Sequence, residues 1–317
     1  MREEPFDYSS FIGRWGTPIG GIVSLAIVIA ARTFAITGRA ASALVLLLAG
    51  AAVLGVVARA AARSGVLTFP AARVRGVNLV ATRGGDAPPL WLTAHLDSKS
   101  QPVPILVRAV GIMLLGASWL ASIGLAAAQM AGWVGSSTWV FVVVTAAAGA
   151  VPVIATTVGA RSPGALDNAS GVAAVLLAAE TSRGPVGVCL TSAEELGLAG
   201  ARAWVRGRGP AVAVNCDGVD DRGTFTCMYS GARPTALIAR VVKAATGCGS
   251  TARSHRLLPG VLTDGVALAD AGWDVVTLSK GGLATLARIH TPRDRAELLG
   301  GTGIAEVARV VARLVDE

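Results

Sequence analysis

The chain has 317 residues, of which 53% are hydrophobic and only 15% are charged, and its mean hydropathy is +0.60. In water-soluble domains about a quarter of the residues are usually charged, so this composition argues against a wholly water-soluble protein. There are 28 basic and 20 acidic residues, for a net charge of +8. The arginines are scattered, with no basic run and no interleaved aromatic residues, so we expect no nucleic-acid binding.

The first two apolar segments follow a short polar tail. Residues 18–31 and 42–58 carry no charge and are apolar apart from Ser24 and Ser42, and each segment approaches the roughly 20 residues that a helix needs to span a bilayer. Acidic residues near the start, Glu3, Glu4 and Asp7, are untypical of a cleaved signal peptide, which begins with basic residues. We therefore predict that residues 1–60 form an N-terminal tail and a transmembrane hairpin.

A second pair of apolar segments, residues 109–128 and 138–158, interrupts the more polar part of the chain. Trp133 and Trp139 mark the turn between them, as aromatic residues at a membrane interface often do. Each hairpin returns the chain to the side from which it left, so the flanking parts can form one split domain. The expected organisation is a first hairpin in 1–60, an aqueous domain in 61–103 and 161–317, and an inserted hairpin in 104–160.

Basic residues near the ends of the apolar segments predict the orientation. The far loops offer only Arg39 and Arg32. The basic residues that flank the aqueous domain are Arg2, Arg14, Arg59, Arg63, Lys99, Arg108 and Arg161. Positive residues concentrate on the cytoplasmic side of membrane proteins. We therefore expect an integral protein of the cell membrane with four spans, in contact with the lipid bilayer, and with its aqueous domain in the cytoplasm.

The aqueous domain alternates between segments typical of strands and of helices, which predicts an α/β sandwich. The predicted strands are 73–83, 90–94, 186–192, 211–215, 225–229 and 274–279. The predicted helices are 170–183, 198–207, 234–247 and 303–316, the last of which places Ile304, Val307, Val311 and Leu314 on one face.

Potential metal ligands follow three of the predicted strands. His95 comes after strand 90–94, Glu194 and Glu195 after strand 186–192, and Asp217 after strand 211–215, while Asp167 precedes a helix. In open α/β sheets ligands bind at the carboxyl ends of the strands, and zinc prefers imidazole and carboxylate ligands. A bridging carboxylate would allow two ions, and a further carboxylate could take a proton from water.

At these residues the chain resembles the co-catalytic zinc aminopeptidases of metallopeptidase family 28. The resemblance covers residues 73–317 and keeps the family's motif order: AHLDS (94–98), GALDNASGVA (164–173), SAEELGLAGARAWV (192–205), VNCDG (214–218) and IHTPRD (289–294). It implies a three-layer α/β/α sandwich with a mixed, mostly parallel sheet, here combined with four transmembrane helices in two hairpins. The aqueous domain would then be a zinc peptidase domain in two parts.

The resemblance also implies a role for each site residue. Two Zn²⁺ ions would be held by His95, Asp167, Glu195, Asp217 and His290, with the two histidines on separate ions and Asp167 bridging them. Glu194 would be the general base, and Asp97 would orient His95 by accepting its second imidazole N–H.

Two features depart from the family pattern. The segment around Thr263 and Asp264 normally reads Ser-Asp-His, and here Gly265 replaces the histidine. The second hairpin lies between Asp97 and Asp167, where the family needs only a short loop, so we expect a site near the membrane surface.

The favoured hypothesis is a membrane-anchored exopeptidase that removes N-terminal residues from a peptide substrate. One alternative is an enzyme like the related glutaminyl cyclases, which use one zinc ion. A second alternative is a non-catalytic membrane receptor or scaffold, because a fold alone does not imply a function. The sequence leaves the oligomeric state and the preferred N-terminal residue open.

Overall fold

The computed structural model describes residues 1–258 and 260–317. They form two compact units, each built from separate stretches of chain. The sheet unit consists of Met1–Ser10, Arg63–Ser100 and Gly159–Glu317, and the helical unit of Phe11–Ala62 and Gln101–Val158.

The regular elements of the described residues follow one another in this order. The strands are β1 (Arg2–Ser9), β2 (Arg73–Arg83), β3 (Trp91–His95), β4 (Val186–Thr191), β5 (Val212–Val219), β6 (Thr224–Tyr229), β7 (Arg253–Arg256) and β8 (Asp274–Gly281). The α-helices are α1 (Ser10–Ile36), α2 (Ala40–Ala60), α3 (Val66–Thr68), α4 (Ile105–Met130), α5 (Trp139–Ile154), α6 (Ser170–Thr181), α7 (Ala199–Val205), α8 (Thr235–Gly247), α9 (Asp264–Asp270), α10 (Leu283–Leu286) and α11 (Thr302–Asp316).

The strands form a single mixed sheet in the order β1-β2-β4-β3-β5-β8-β6-β7. Its centre, β4-β3-β5-β8, is parallel. The pairs β1-β2, β2-β4 and β8-β6 are antiparallel. The carboxyl ends of the four central strands therefore meet at one edge of the sheet. The predicted ligands lie at this edge: His95 ends β3, Glu194 and Glu195 follow β4, and Asp217 lies near the end of β5.

Helices cover both faces of the sheet, which confirms the predicted three-layer sandwich. On one face α6, α8 and α11 pack over Leu92, Val214 and Leu278. On the other face α7 and α9 pack over Trp91, Cys189 and Ala213. Neighbouring residues such as Ala213 and Val214 point to opposite layers because successive side chains of a strand alternate between its faces.

The first strand was not predicted. Residues 1–16 were expected to be a polar tail, yet Arg2–Ser9 pair with Arg73–Val80 of β2 along the whole length of β1. The segment contains Pro5 and four charged residues, an unusual composition for a strand. An edge position tolerates both, because one side of the strand has no neighbour to satisfy.

The helical unit contains helices long and apolar enough to cross a membrane. The four candidate spans among the described residues are Ser10–Ile36, Ala40–Thr68, Ile105–Met130 and Ser136–Ile154. Gly111 of α4 and Gly149 of α5 allow a close approach, since a methyl group built on Gly149 would lie 2.7 Å from the backbone nitrogen of Leu115. Small residues at helix contacts are typical of helices packed in lipid.

One of the two tryptophans expected at the membrane interface is buried instead. Trp133 is 82% exposed, but Trp139 is 0% exposed. The indole Nε1 of Trp139 donates to Oε1 of Gln129 at 2.9 Å, and Nε2 of Gln129 donates to the carbonyl of Ala35 at 2.8 Å. These bonds connect α5, α4 and α1 and give the buried polar groups their partners.

Candidate metal centre

The ends of β3 and β4 are joined by the carboxylate of Asp97. Its two oxygens accept the backbone N–H groups of Glu194 at 3.0 Å and Glu195 at 3.1 Å. His95 is the last residue of β3, so these bonds bring the double-glutamate loop beside it. The sequence motifs AHLDS and SAEEL thus meet in space through one side chain.

Asp167 lies between two histidines that are far apart in the sequence. Its Oδ1 is 3.1 Å from Nε2 of His95, and its Oδ2 is 3.0 Å from Nε2 of His290. Nε2 of His95 is also 3.7 Å from Oδ1 of Asp217, and Nε2 of His290 is 3.2 Å from Oε1 of Glu195. The five residues expected to bind metal therefore come together as two groups that share Asp167: His95, Asp167 and Asp217, and Asp167, Glu195 and His290.

The turn that carries Asp167 is anchored from two directions. Asp294, which is 0% exposed, accepts the backbone N–H groups of Leu166 and Asp167 at 2.5 and 3.2 Å. Asn168 donates to the carbonyl of Cys216 at 2.9 Å and accepts from the backbone of Gly218 at 3.1 Å. Neither residue was singled out from the sequence, although both lie inside the motifs that carry the resemblance.

His290 sits in a segment tied to the loop after β5. Its backbone has φ of +63°, a left-handed conformation that is uncommon for a residue with a Cβ and that concentrates at functional sites. Asp220 is 5% exposed. Its carboxylate accepts a hydrogen bond from Oγ1 of Thr285 at 2.6 Å and forms an ion pair with Arg288. These contacts of the buried Asp220 tie the segment that leads to His290 to the loop after β5.

The contact between Asp97 and His95 differs from the expected one. Nδ1 of His95 lies 2.9 Å from the backbone oxygen of Asp97, whereas the nearest carboxylate oxygen is 3.8 Å away. The carboxylate instead accepts hydrogen bonds from the two backbone N–H groups of the glutamate loop. The imidazole is therefore oriented by the main chain of Asp97, and the side chain of Asp97 orients the glutamates.

Lys99 was noted in the sequence only as a charge beside a membrane segment. Its Nζ lies 2.6 Å from Oε2 of Glu195, and only 17% of its side chain is exposed. Its position directly after the AHLDS motif was the available signal. The other oxygen of Glu195, Oε1, is the one that faces His290.

Burial and neighbouring charges shift the pKa values of the cluster, upward for His95 and Glu194 and downward for Asp167. Burial opposes charge on the His95 imidazole, but the carboxylates of Glu194, Asp167 and Asp217 outweigh it and raise the pKa of His95 well above its usual value. Burial also raises the pKa of Glu194 well above its usual range, with further contributions from Glu195 and Asp217. Burial opposes ionisation of Asp167 too, yet contacts with the two histidines lower the pKa of that carboxyl.

Asp264 is a further buried acid beside this cluster. It is 0% exposed, and its Oδ2 contacts Oγ1 of Thr191 at the end of β4. Burial raises the pKa of Asp264 to about 7. The next residue, Gly265, stands where the family has a histidine, and a methyl group built there would lie 2.5 Å from Oγ1 of Thr277. The backbone here leaves no room for a side chain unless the surroundings move.

The chemistry of the donor set fits zinc. Both groups combine imidazole nitrogen with carboxylate oxygen, the ligand types of zinc sites. Among the residues that the structure describes, Oε1 of Glu195 is buried without a hydrogen bond although it faces Nε2 of His290. Buried carboxylate oxygens rarely stay unpaired, so a bound cation is a natural partner for this atom.

Known structures share this fold at low sequence identity. A zinc aminopeptidase from Bacillus subtilis is similar at 17% identity, with a match that covers 78% of this chain and 50% of that one and a TM-score of 0.49. An aminopeptidase from Legionella pneumophila is similar at 17% identity, with a match that covers 77% of this chain and 55% of that one and a TM-score of 0.48. A glutaminyl cyclase from Bacteroides thetaiotaomicron, bound to N-acetylhistamine, is also similar at 14% identity, with a match that covers 76% of this chain and 77% of that one and a TM-score of 0.50. The chain spans about half the length of the solved aminopeptidases that it matches. No curated protein matches it.

The sequence itself carries the stronger relationship. The model of peptidase family M28 matches residues 78–315, which span β2 to α11 and include every residue of the metal centre. This match confirms the resemblance seen in the motifs. The chain belongs to peptidase family M28.

Proposed function

We propose that this protein is a membrane-anchored, zinc-dependent exopeptidase of the aminopeptidase type. The observation that carries the proposal is the position of Asp167, whose two carboxylate oxygens lie 3.1 and 3.0 Å from the imidazoles of His95 and His290. One carboxylate placed between two sets of ligands is the arrangement expected for a bridge between two ions. His95 and Asp217 would complete one position, and His290 and Glu195 the other.

Zinc bound there would supply Lewis-acid activation of water and of the substrate carbonyl. Glu194 is 6% exposed, adjoins this cluster and is not a member of either ligand group. A carboxylate in that position can accept a proton from water and return it to the amine that leaves when the peptide bond breaks.

Asp97 would act on the reaction through Glu194. Its carboxylate holds the backbone of Glu194 and Glu195 at 3.0 and 3.1 Å, so the base and a ligand are placed by the same group. Fixing the base and a metal ligand in one loop reduces the reorganisation needed when substrate binds.

The first experiment compares wild type with Glu194→Gln for zinc content and for hydrolysis of aminoacyl substrates. We expect two zinc ions per chain in both proteins and a loss of activity of about 100-fold or more in the variant, the usual size of a general-base contribution. Glu180→Gln, on the exposed side of α6, is the matched control and should retain full activity. Equal activity of Glu194→Gln and wild type would remove Glu194 from the role of base.

The same experiment separates the alternatives. A glutaminyl-cyclase-like enzyme would bind one zinc ion and release ammonia from peptides with N-terminal glutamine. A non-catalytic receptor or scaffold would show neither reaction at any metal loading.

We further propose that the helical unit crosses the membrane in two hairpins, with the sheet unit, which consists of Met1–Ser10, Arg63–Ser100 and Gly159–Glu317, in the cytoplasm. The four long apolar helices support the spans. The topology is supported by β1: it precedes α1 yet pairs within the same sheet as the segments after each hairpin, so all parts of the sheet unit share one side.

Cysteine labelling tests this topology in intact cells. Ser137 lies in the exposed loop between α4 and α5, and Asp86 in an exposed loop after β2. In a background with Cys248→Ser, an impermeant maleimide should label Ser137→Cys and should leave Asp86→Cys unlabelled until the cells are opened. The reverse pattern would contradict the orientation, and equal labelling would contradict the hairpin.

A further inference from the structure

Lys99 distinguishes the two metal positions from each other. Its Nζ is 2.6 Å from Oε2 of Glu195, and this carboxylate turns its other oxygen toward His290. In the described structure no lysine or arginine forms an ion pair with Asp217 or Asp167, the carboxylates beside His95. A lysine is therefore ion-paired with a ligand of only one of the two positions, the one formed by His290 and Glu195.

The charge acts on metal binding in two opposing ways. Lys99 holds Glu195 in one orientation, which favours binding, but it also shares the negative charge of Glu195 and repels a divalent cation. Only 17% of the Lys99 side chain and 5% of that of Glu195 are exposed, so water screens this repulsion weakly. The repulsion energy between like charges a few ångströms apart in a buried site is larger than the conformational free energy saved by holding one side chain in a single rotamer. Repulsion should therefore prevail.

The histidines show a second difference between the two positions. Nδ1 of His95 lies 2.9 Å from the backbone oxygen of Asp97, which fixes the ring and its tautomer. Among the described residues, Nδ1 of His290 is buried and has no hydrogen-bond partner. A hydrogen bond to the second ring nitrogen of a ligating histidine strengthens metal binding, and its loss usually costs 10- to 100-fold in affinity.

We propose that the two metal positions are unequal, and that Lys99 weakens binding at the position formed by His290 and Glu195. This inference rests on the two-ion site of the proposed function. Lys99 is a positioning residue: it contacts a ligand rather than the metal, and its charge sets the affinity of the second ion. Filling the second position would then require a higher free zinc concentration than filling the first.

The test is a metal titration of the full-length protein in detergent micelles, after removal of bound metal. Zinc is added against a competing chelator, so that the affinity of each step is measured independently of activity. We expect two steps in the wild type, the second weaker by about tenfold or more. Lys99→Met should tighten the second step by about tenfold or more and change the first by less than about threefold.

Three further variants assign the effect. Lys99→Arg keeps the charge and should keep the weak second step. Lys280→Met removes a lysine in a similar ion pair, 2.6 Å from Glu306, and should leave both steps unchanged. In a His290→Asn background, Lys99→Met should no longer change the affinity of the remaining step.

The outcomes separate this inference from the proposed function. Two steps in the wild type with a second step that Lys99→Met leaves unchanged or weakens would overturn the role of Lys99 and leave the two-ion site intact. One step in the wild type and two in Lys99→Met would support the role of Lys99 and overturn the two-ion state of the wild-type enzyme. One step in both proteins would overturn both.

Discussion

The two units bury their apolar residues in contrasting ways. In the sheet unit the fully buried side chains include Leu92, Leu278 and Leu314, each 0% exposed. In the helical unit large side chains such as Leu120 and Phe141 are 72% and 75% exposed, while glycines lie where α4 and α5 cross. In water, burying large apolar side chains is the main favourable term in folding. In lipid it contributes little, and close packing takes its place.

The contrast explains why chemistry is confined to one unit. The sheet unit holds its buried imidazoles and carboxylates at the ends of strands that the apolar layers on both faces keep rigid. In the helical unit, Gln129 and Trp139 instead bond to each other and to the backbone. Each unit can therefore be perturbed by changes that should have no effect in the other.

The largest effect is expected at the shared ligand of the metal centre. Asp167→Asn replaces the carboxylate that faces both histidines and should lower zinc content and reduce aminopeptidase activity by more than about 100-fold, beyond the usual cost of losing a supporting contact. Asp86→Asn, in an exposed loop, should preserve both. Zinc content and activity measured on the same preparations decide the outcome, and an active Asp167→Asn enzyme would contradict the bridging role.

The same substitution made in the two units tests the difference in burial. Leu278→Ala opens a cavity in the core of the sheet and should lower the free energy of unfolding by about 3 kcal/mol. Leu120→Ala removes an exposed side chain of α4 and should change it by less than about 0.5 kcal/mol. Denaturant titrations in detergent measure both; equal losses would show that the two units are stabilised alike.

Close packing in the helical unit can be tested with glycine substitutions. Gly149→Leu would place its Cβ 2.7 Å from the Leu115 backbone and should destabilise the unit by about 1–3 kcal/mol, as overpacking usually does. Gly116→Leu is the control, because a Cβ there meets nothing within 4 Å. Thermal unfolding in micelles should separate the two variants. A harmless Gly149→Leu would contradict the close approach of α4 and α5.

The smallest effect is expected at the start of α11. Asp221 accepts Oγ1 of Thr302 at 2.9 Å and the backbone N–H of Gly303 at 3.0 Å, so Asp221→Ala should cost about 1 kcal/mol, as the loss of a helix cap does. These bonds lower the pKa of Asp221 from 3.8 to about 2. Because the folded-state pKa is the lower one, this stabilisation is present above the unfolded-state value and is lost as the pH falls toward 2. Unfolding measured at pH 7 and pH 3 should show the difference between variant and wild type shrinking at the lower pH.

The central strands and the site residues could be predicted because local and global signals agree there. β2 was expected at 73–83 and is Arg73–Arg83, and the acids and histidine at the ends of β3, β4 and β5 meet at one edge of the sheet. A parallel sheet brings the ends of its strands together whatever the loops between them do. Placement at strand ends therefore remained informative although a helical hairpin separates Asp97 from Asp167 in the sequence.

The features that were missed depend on distant partners. β1 forms only because β2 offers it an edge, and Asp220 is buried only because Thr285 and Arg288 reach it. Trp139 was expected at an interface, but its indole meets Gln129 of a neighbouring helix. Composition and spacing record none of these pairings, because each joins segments that the fold brings together.

The position of ions around Asp167 tests the account most directly. Anomalous diffraction at the zinc absorption edge, from crystals of the full-length protein, should show two peaks, one beside His95 and Asp217 and the other beside His290 and Glu195, with Asp167 contacting both. A single peak, or peaks that leave Asp167 without a metal contact, would contradict the shared metal centre on which the proposed function rests.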